Sequence, residues 1–291
     1  MCYKTGQIYL LPTGARAGAG VMVPAARRRQ YGALSRLGDP PVDDLDLIID
    51  LHADGPRQGP GGADETRLAL TLAGLPGRTD LRIADVGCGT GASTLVLAEA
   101  LDATIVAVDF VPEFLARLAD AAASHGVADR VTPLRASMRA LPLPAASCDV
   151  IWSEGAIYNM GFEAGVAAWR QFLKPQGVLA VTELTWLTAE RPAALQAHWA
   201  REYPEVDTAA GKMAVLERHG FSPVGYFPLP AHCWLDNYYR PMQQRFDGYL
   251  DRHGHSDAAR ALVQAERSEI ALYERYRDYV GYGFYVARKV A

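Results

Sequence analysis

Apolar and polar positions follow two different periods along the middle of the chain. Short, continuously apolar runs such as 104–108 alternate with longer segments, such as Pro112–Ser124, whose apolar residues recur every three or four positions. Continuous apolar runs are typical of strands in a parallel sheet that is covered on both faces, and the longer segments are typical of amphipathic helices. The alternation predicts an α/β fold with a doubly wound sheet. The predicted strands of this region are 81–86, 104–108, 131–134, 149–152 and 177–183, and the predicted helices are 92–101, 112–124 and 163–173.

The regular alternation ends after residue 183. Helices at 193–202 and 207–219 precede a strand at 222–228, and a long helical stretch separates that strand from a final one at 281–289. Two further helices are predicted before the first strand, and a loop with two prolines and three glycines joins them. The sequence therefore predicts seven strands, a helical N-terminal extension and a helical insertion before the last strand. The two early helices are predicted at 43–51 and 64–75, and the loop at 56–62.

The junction between the first strand and its helix carries the most informative motif. Asp85 is followed by three glycines at alternate positions, Gly87, Gly89 and Gly91. Glycine permits a tight turn and lets the backbone approach a ligand closely. Asp109 ends the next strand, at about the spacing by which a βαβ unit places a carboxylate against a ribose. The two signals together predict a site for a nucleoside cofactor.

The acid before the turn distinguishes two classes of cofactor. Gly87, Gly89 and Ala92 satisfy the G-x-G-x-x-G/A pattern of dinucleotide-binding folds, so an NAD-dependent oxidoreductase is one alternative. The carboxylate of Asp85 would repel a diphosphate at that point. The same carboxylate would attract the ammonium group of S-adenosyl-L-methionine. The sequence therefore favours S-adenosyl-L-methionine as the cofactor, with S-adenosyl-L-homocysteine as the product.

The run from Asp85 to Gly91 also matches the D-x-G-x-G-x-G motif of the class I S-adenosylmethionine-dependent methyltransferases, and the chain resembles that family over about residues 43–289. It is most similar to the small-molecule branch, which includes ubiquinone- and menaquinone-type enzymes, and to an uncharacterised bacterial subgroup. The segment 173–177 resembles the family's LKPGG turn, with Gln176 in place of the first glycine. The resemblance implies a Rossmann-like sheet of seven mostly parallel strands with a reversed last strand.

The resemblance also implies cofactor contacts. Asp109 and Phe110 match the pair that holds the ribose hydroxyls and flanks the adenine, and Ser137 and Met138 match the loop that meets the adenine ring. Cys88 lies within the glycine turn and is expected to contribute its backbone.

Three further candidates come from the chemistry of single residues. The Arg57 guanidinium can bind the methionine carboxylate in a bidentate manner. Glu154 follows the fourth strand at the edge where α/β proteins bind ligands. His232 is the histidine best placed in sequence to act as a general base. The predicted catalytic residues are Glu154 and His232, and the predicted cofactor-binding residues are Arg57, Asp85, Gly87, Cys88, Gly89, Gly91, Asp109, Phe110, Ser137, Met138 and Glu154.

Composition excludes several classes of partner. The 291 residues are 49% hydrophobic and 21% charged, with a net charge of -4, so there is no basic excess for a nucleic acid or an anionic membrane. The four cysteines show no C-x-x-C spacing. This pattern predicts neither a disulfide framework nor a metal site, and it favours a cytoplasmic setting. No apolar run approaches the ~18 residues of a membrane span.

The chain is expected to hold one folded domain. Residues 1–41 are rich in Gly, Ala, Pro and Arg and are predicted to form a flexible extension. Residues 42–291 are predicted to form the methyltransferase domain. The insertion at about 231–279, together with the N-terminal helices, is expected to form a partial lid. The predicted function is methyl transfer to a small-molecule acceptor. The alternatives are the NAD-dependent oxidoreductase and a non-catalytic S-adenosylmethionine-binding module, and the acceptor atom and the oligomeric state are left open.

Overall fold

The computed structural model describes residues 44–290, so the predicted extension at 1–41 lies outside the described residues. Within them, eight strands form one sheet. The strands are β1 Leu81–Val86, β2 Ala103–Asp109, β3 Val131–Arg135, β4 Cys148–Ser153, β5 Leu173–Trp186, β6 Asp207–Thr208, β7 Phe221–Pro228 and β8 Val280–Lys289.

The strand order across the sheet is β3-β2-β1-β4-β5-β8-β7, and β6 pairs with the end of β5. Strands β1 to β5 run parallel to one another, whereas β8 is antiparallel to both β5 and β7. This confirms the predicted fold class, a Rossmann-like sheet of mostly parallel strands with a reversed last strand. The strand order reverses direction at β1 and β4, which creates a crevice at the carboxyl ends of these strands.

Eleven α-helices surround this sheet in the described part of the chain. None of the helices found in residues 44–290 is both long enough and apolar enough to cross a membrane. The helices are α1 Asp44–Ala53, α2 Ala63–Leu72, α3 Ala92–Ala100, α4 Pro112–Ser124, α5 Phe162–Trp169, α6 Ala193–Glu202, α7 Ala209–Arg218, α8 Ala231–Trp234, α9 Arg240–Gln243, α10 Phe246–Arg252 and α11 Asp257–Tyr276.

Side chains from successive residues of the central strands pack on opposite faces of the sheet. Ile83 and Trp152 belong to one buried cluster, whereas Ala84 and Ile151 belong to the other. Because neighbouring residues of a strand point to opposite faces, a strand buried on both sides must be apolar at every position. This explains why the apolar runs of the sequence are continuous.

Several predicted helix boundaries were wrong, and two of them concern strands of the sheet. The predicted helix at 163–173 ends at Trp169, a 3-10 turn at Arg170–Phe172 follows, and β5 already begins at Leu173. The segment 173–177, which resembles the family's turn, lies within β5 at an irregularity where the register against β4 shifts. Gln176 has a φ of 63° there, in the left-handed region that glycine adopts without strain. The second wrong boundary is at 207, since β6 precedes α7.

The insertion between β7 and β8 is helical, as predicted, and it packs against the N-terminal segment. The backbone N–H of Gly61 donates to the carbonyl of Cys233 over 3.3 Å, and the Asn237 side chain donates to the carbonyl of Gly61 over 2.8 Å. Arg252 forms an ion pair of 2.8 Å with Asp50 of α1. The insertion therefore supports α1 and the loop between α1 and α2.

We expect Gly91→Ala to lower the free energy of unfolding by about 3 kcal/mol. Gly91 precedes α3 with a φ of 94°, and a Cβ there would overlap the Leu118 side chain. The left-handed conformation costs ~1–2 kcal/mol for an L-residue, and overpacking adds a similar amount. Gly126 is the matched control, since its φ is 68° and a Cβ added there would meet no atom within 4 Å. Urea denaturation should show a loss of only about 1 kcal/mol for Gly126→Ala, and equal losses in the two variants would contradict the packing argument.

Candidate functional site

A cavity of about 270 Å³ opens at the carboxyl ends of β1, β2 and β4. Its floor is the glycine turn after β1 and the loops that follow the other strands. Its opposite wall comes from α1, through Leu45, Ile48 and Ile49, and from the loop between α1 and α2. The topology of an open α/β sheet places ligand sites at this edge.

The glycine turn lies directly against the cavity. Gly87, Cys88 and Gly89 line it. A Cβ at Gly87 would overlap the Ala156 side chain, and a Cβ at Gly89 would lie 2.5 Å from Gln58 Oε1. A larger residue at either position would collide with the side chain that packs against it, and both positions have a positive φ, so both require glycine.

Asp109 is held by backbone donors at the end of β2. Its Oδ2 accepts from the N–H of Gly89 and its Oδ1 accepts from the N–H of Val111, each over 2.9 Å. Burial raises the pKa of this carboxyl, and the backbone N–H groups of Val111, Gly89 and Phe110 oppose that rise. Asp109 lines the cavity and is thus a fixed hydrogen-bond acceptor there.

Asp85 lies one layer behind the cavity. It is fully buried and is absent from the cavity wall, whereas Ser93 lines the cavity. Asp85 Oδ2 accepts from Ser93 Oγ over 3.0 Å and from Thr94 Oγ1 over 2.7 Å. Burial raises the pKa of Asp85 to about 7, against the opposing effect of the Thr94 hydroxyl. The sequence placed Asp85 at the correct strand end, but its side chain points toward the start of α3.

An ion pair between Arg57 and Glu154 also lines the cavity. Glu154 Oε1 also accepts from Thr66 Oγ1 over 2.7 Å and from Trp152 Nε1 over 2.9 Å. Only 4% of the Glu154 side chain and 11% of the Arg57 side chain are exposed. Three donors thus hold this carboxylate at the cavity wall, which suits a binding group.

Gln58 ties the loop between α1 and α2 to the glycine turn. Its Oε1 accepts from both the N–H and the hydroxyl of Thr90, each over 2.9 Å. Its Nε2 donates to the carbonyls of His52 and Gly55 over 3.3 and 3.2 Å. These hydrogen bonds hold the loop between α1 and α2 against the glycine turn at the position of Gln58.

The third part of the cavity wall is more apolar. Phe110, Met138 and Ser137 line it beside Asp109. Phe110 packs under the Arg135 guanidinium, whose carbon lies 5.9 Å from the ring centroid. This combination of a fixed carboxylate with flanking apolar side chains suits a nucleoside.

Two comparisons with known proteins decide the family. The family model described as "Methyltransferase domain" matches residues 83–177. The 27-O-demethylrifamycin SV methyltransferase of Amycolatopsis mediterranei is 30% identical over 237 residues, which cover 77% of this chain and 83% of the relative. The chain belongs to the class I S-adenosylmethionine-dependent methyltransferases.

Solved structures share the fold of this methyltransferase. An S-adenosylmethionine-dependent methyltransferase from Geobacter sulfurreducens, in complex with S-adenosyl-L-homocysteine, matches with a TM-score of 0.74 and 18% identity over 84% of this chain and 98% of that one. The cyclase SpnF matches with a TM-score of 0.66 and 23% identity, over 85% and 94% of the two chains. At these identities the likeness shows the fold alone.

The cavity of the methyltransferase fits its cofactor. The glycine turn, the charged pair Arg57–Glu154 and the fixed carboxylate of Asp109 all line the cavity, and these groups offer partners to an amino-acid group and to a ribose. The structure brings together nine of the predicted site residues, and it does not bring Asp85, Gly91 or His232 to the cavity wall. The nine are Arg57, Gly87, Cys88, Gly89, Asp109, Phe110, Ser137, Met138 and Glu154.

His232 lies at the start of α8. Its Nε2 is 3.2 Å from Glu65 Oε1, and about half of its side chain is exposed. Its position in sequence, after the sixth predicted strand, suggested a place at the ligand-binding edge. In the methyltransferase His232 is not among the residues that line the cavity, so this histidine is not placed to accept a proton there.

The sequence analysis expected the N-terminal helices to contribute to a lid, but it did not name Ser93 or any residue of α1 as a site residue. The apolar pattern places Ile48 and Ile49 on an amphipathic helix, and it does not say which of its residues line the cavity. Ser93 follows the glycine turn directly, so its place in the first turn of α3 was an available signal. Cys88 does line the cavity, but burial and the charges of Asp85 and Asp109 raise its pKa well above the usual range. Its thiol therefore stays protonated.

Proposed function

We propose that the enzyme transfers the methyl group of S-adenosyl-L-methionine to a small-molecule acceptor. The observation that carries the acceptor class is the match to 27-O-demethylrifamycin SV methyltransferase, since the match extends over most of both chains. The name of that relative describes a small-molecule methyltransferase. The composition supports the same class, because no basic excess is present to attract a nucleic acid.

We propose that the adenosine end of the cofactor lies against Asp109. An ionised carboxylate accepts hydrogen bonds from two hydroxyls of a ribose more strongly than a neutral group does. Phe110 and Met138 offer apolar surfaces to the adenine, and Ser137 offers a hydroxyl at the same wall. The backbone N–H groups of Gly89 and Val111 hold the carboxylate in place before any ligand arrives.

The methionine end of the cofactor is proposed to lie between the glycine turn and the Arg57–Glu154 pair. An amino-acid group carries both a carboxylate and an ammonium, and Arg57 and Glu154 supply one partner for each. Glu154 is proposed here as a binding residue. Asp85 acts from behind, since its hydrogen bonds orient Ser93, which lines the cavity.

Methyl transfer requires the protein mainly to position the two reactants and to exclude water from them. When bound, the cofactor supplies an electrophilic methyl group that a nucleophile attacks in line. The loop that Gln58 fastens across the glycine turn covers the cavity from the solvent side. Arg57 and Glu154 hold the charged end of the cofactor so that the reacting group faces the remaining space of the cavity.

Thermal unfolding with four ligands tests the cofactor class. We expect S-adenosyl-L-methionine and S-adenosyl-L-homocysteine to raise Tm, and NAD and NADP to leave it unchanged. A ligand at 100 times its Kd stabilises the folded state by about 2.7 kcal/mol, which gives a readable shift. A shift with NAD alone would contradict the proposed site and restore the oxidoreductase alternative.

Turnover needs a separate measurement, since the fold is shared with a cyclase. We expect formation of S-adenosyl-L-homocysteine in the presence of a panel of small hydroxyl-, amine- and thiol-bearing acceptors, measured with an enzyme-coupled assay. A peptide and an RNA panel serve as controls. Formation of product with either macromolecular panel and none of the small molecules would contradict the acceptor class.

A further inference from the structure

Three side chains with different donor atoms converge where α2 meets α8. They are Glu65 of α2 and the neighbours His232 and Cys233 of α8, and their oxygen, nitrogen and sulfur atoms all lie within 4.8 Å of one another. His232 Nε2 is 3.2 Å from Glu65 Oε1 and 3.7 Å from Cys233 Sγ. Glu65 and Cys233 are buried, and His232 faces solvent. We call this group the Glu-His-Cys cluster.

We propose that the Glu-His-Cys cluster binds a divalent cation of the zinc type. Thiolate, imidazole and carboxylate are the ligands that Zn²⁺ takes in proteins, at bond lengths of about 2.0–2.3 Å. A tetrahedron with such bonds has edges of roughly 3.3–3.8 Å. The nitrogen–sulfur separation of 3.7 Å lies within this range, and the nitrogen–oxygen separation of 3.2 Å lies just below it. The proposal goes beyond methyl transfer and does not depend on it.

The bonding of Glu65 without a metal supports this assignment. Its Oε2 atom is buried and has no hydrogen-bond partner among the residues that the structure describes. A buried carboxylate oxygen without a partner is costly, because it has lost its hydration and gained nothing in exchange. The ion pair with His232 uses only Oε1. A cation among the three side chains would compensate the remaining oxygen.

The charges of the Glu-His-Cys cluster also balance for a divalent ion. One carboxylate and one thiolate carry two negative charges, and a neutral imidazole adds none. Cysteine binds a metal as the thiolate, so binding releases the thiol proton to solvent and affinity should increase with pH.

A metal ion at this site would hold together the segments that enclose the cofactor cavity. The residue after Glu65 is Thr66, whose hydroxyl donates to Glu154 of the cavity wall. The carbonyl of Cys233 accepts from Gly61 in the loop between α1 and α2. A metal ion held by α2 and α8 thus joins the insertion to both segments that enclose the cavity. Three protein ligands leave a fourth position, which His232 places on the solvent side.

Metal binding to the full-length protein tests the proposal. The protein is first freed of metal with a chelator, and Zn²⁺ is then titrated in competition with a chromophoric chelator. We expect one Zn²⁺ per chain, and we expect His232→Ala to weaken its Kd at least about tenfold. Titration with Co²⁺ should produce the absorption of a tetrahedral site and a sulfur-to-cobalt charge-transfer band, and both should be lost in Cys233→Ser.

Two controls match the chemistry of the Glu-His-Cys cluster. His219 lies 2.9 Å from Glu163 and is the control for a histidine–glutamate pair without a thiol. Cys148 is the control for a buried cysteine elsewhere in the sheet. His219→Ala and Cys148→Ser should leave the Zn²⁺ affinity and the Co²⁺ spectrum unchanged.

Equal Zn²⁺ affinity of the parent protein and His232→Ala would overturn the proposal, as would a Co²⁺ complex without sulfur-to-cobalt absorption. Cys233→Ser alters a fully buried position and carries a risk of misfolding, whereas His232→Ala removes a half-exposed side chain and keeps the test decisive. Binding of S-adenosyl-L-homocysteine is measured in the same samples. If that binding is intact while Zn²⁺ fails to bind, the metal site alone is refuted.

Discussion

Replacing Asp109 with alanine should reduce the affinity for S-adenosyl-L-homocysteine at least about 100-fold. Each hydrogen bond to a charged acceptor contributes ~1.5–3 kcal/mol, and we propose that Asp109 accepts from two ribose hydroxyls. The variant also removes the acceptor that holds the N–H of Gly89, so the glycine turn loses one of its fixed contacts. Both effects act in the same direction. Isothermal titration calorimetry on the purified variant measures the change.

The control for this variant is Asp120→Ala, which alters an exposed aspartate on α4. It should bind S-adenosyl-L-homocysteine as the parent protein does. Asp109→Asn separates the two effects, because an amide keeps the shape and one acceptor oxygen while losing the charge. We expect its affinity to lie between those of the parent protein and Asp109→Ala. Unchanged affinity in Asp109→Ala would place the cofactor elsewhere.

In the parent protein, the contribution of Asp85 to the free energy of unfolding should decrease as pH rises from about 4 to 7, and Asp85→Asn should abolish this decrease. The pKa of Asp85 is raised in the folded state to about 7 from its ordinary value of 3.8, mainly by burial. Between these two values the unfolded chain has lost the proton while the folded chain keeps it, so stability decreases as pH rises. The total difference is about 4 kcal/mol, since one pKa unit corresponds to ~1.4 kcal/mol. Below and above this window both states carry the same charge, and the contribution is constant.

Urea denaturation of the two proteins across pH 4–8 measures this effect. The quantity of interest is the difference between their free energies of unfolding at each pH, because other groups titrate in both proteins and cancel. Relative to the variant, the parent protein should become progressively less stable up to about pH 7. Asp120→Asn, at an exposed position of α4, should show no such trend. A difference that does not vary with pH would mean that Asp85 titrates normally in the folded state.

The strands of the central sheet were predictable from the sequence because strands buried on both faces appear as continuous apolar runs. The bounds of α4 and of β1 agree with the prediction residue for residue. The start of β5 was not predictable in the same way. Its first residues contain a proline and the left-handed Gln176, which are signals of a turn, and only pairing with β4 makes them part of a strand.

The site was predictable where its residues follow strands directly. Asp109 and Glu154 end or follow β2 and β4, and parallel strands bring those ends to one edge. Contacts between distant segments left no such pattern. The pairing of Glu65 with His232 joins α2 to α8 across most of the chain, and the fastening of Gln58 to Thr90 depends on how a loop folds back. The periodicity of apolar residues predicts which residues are buried, but it does not predict which distant residue each of them contacts.

The position of β8 in the sheet has a consequence for biosynthesis. This strand follows the other seven in the chain, yet it lies between β5 and β7, which pair with it and not with each other. While the protein is being translated, the 14-residue β5 therefore exposes an unpaired edge until residues 280–289 have left the ribosome. An exposed strand edge is a template for pairing with other chains. Nascent chains of this protein should thus be open to pairing with other chains, and to binding by chaperones, until β8 has been synthesised.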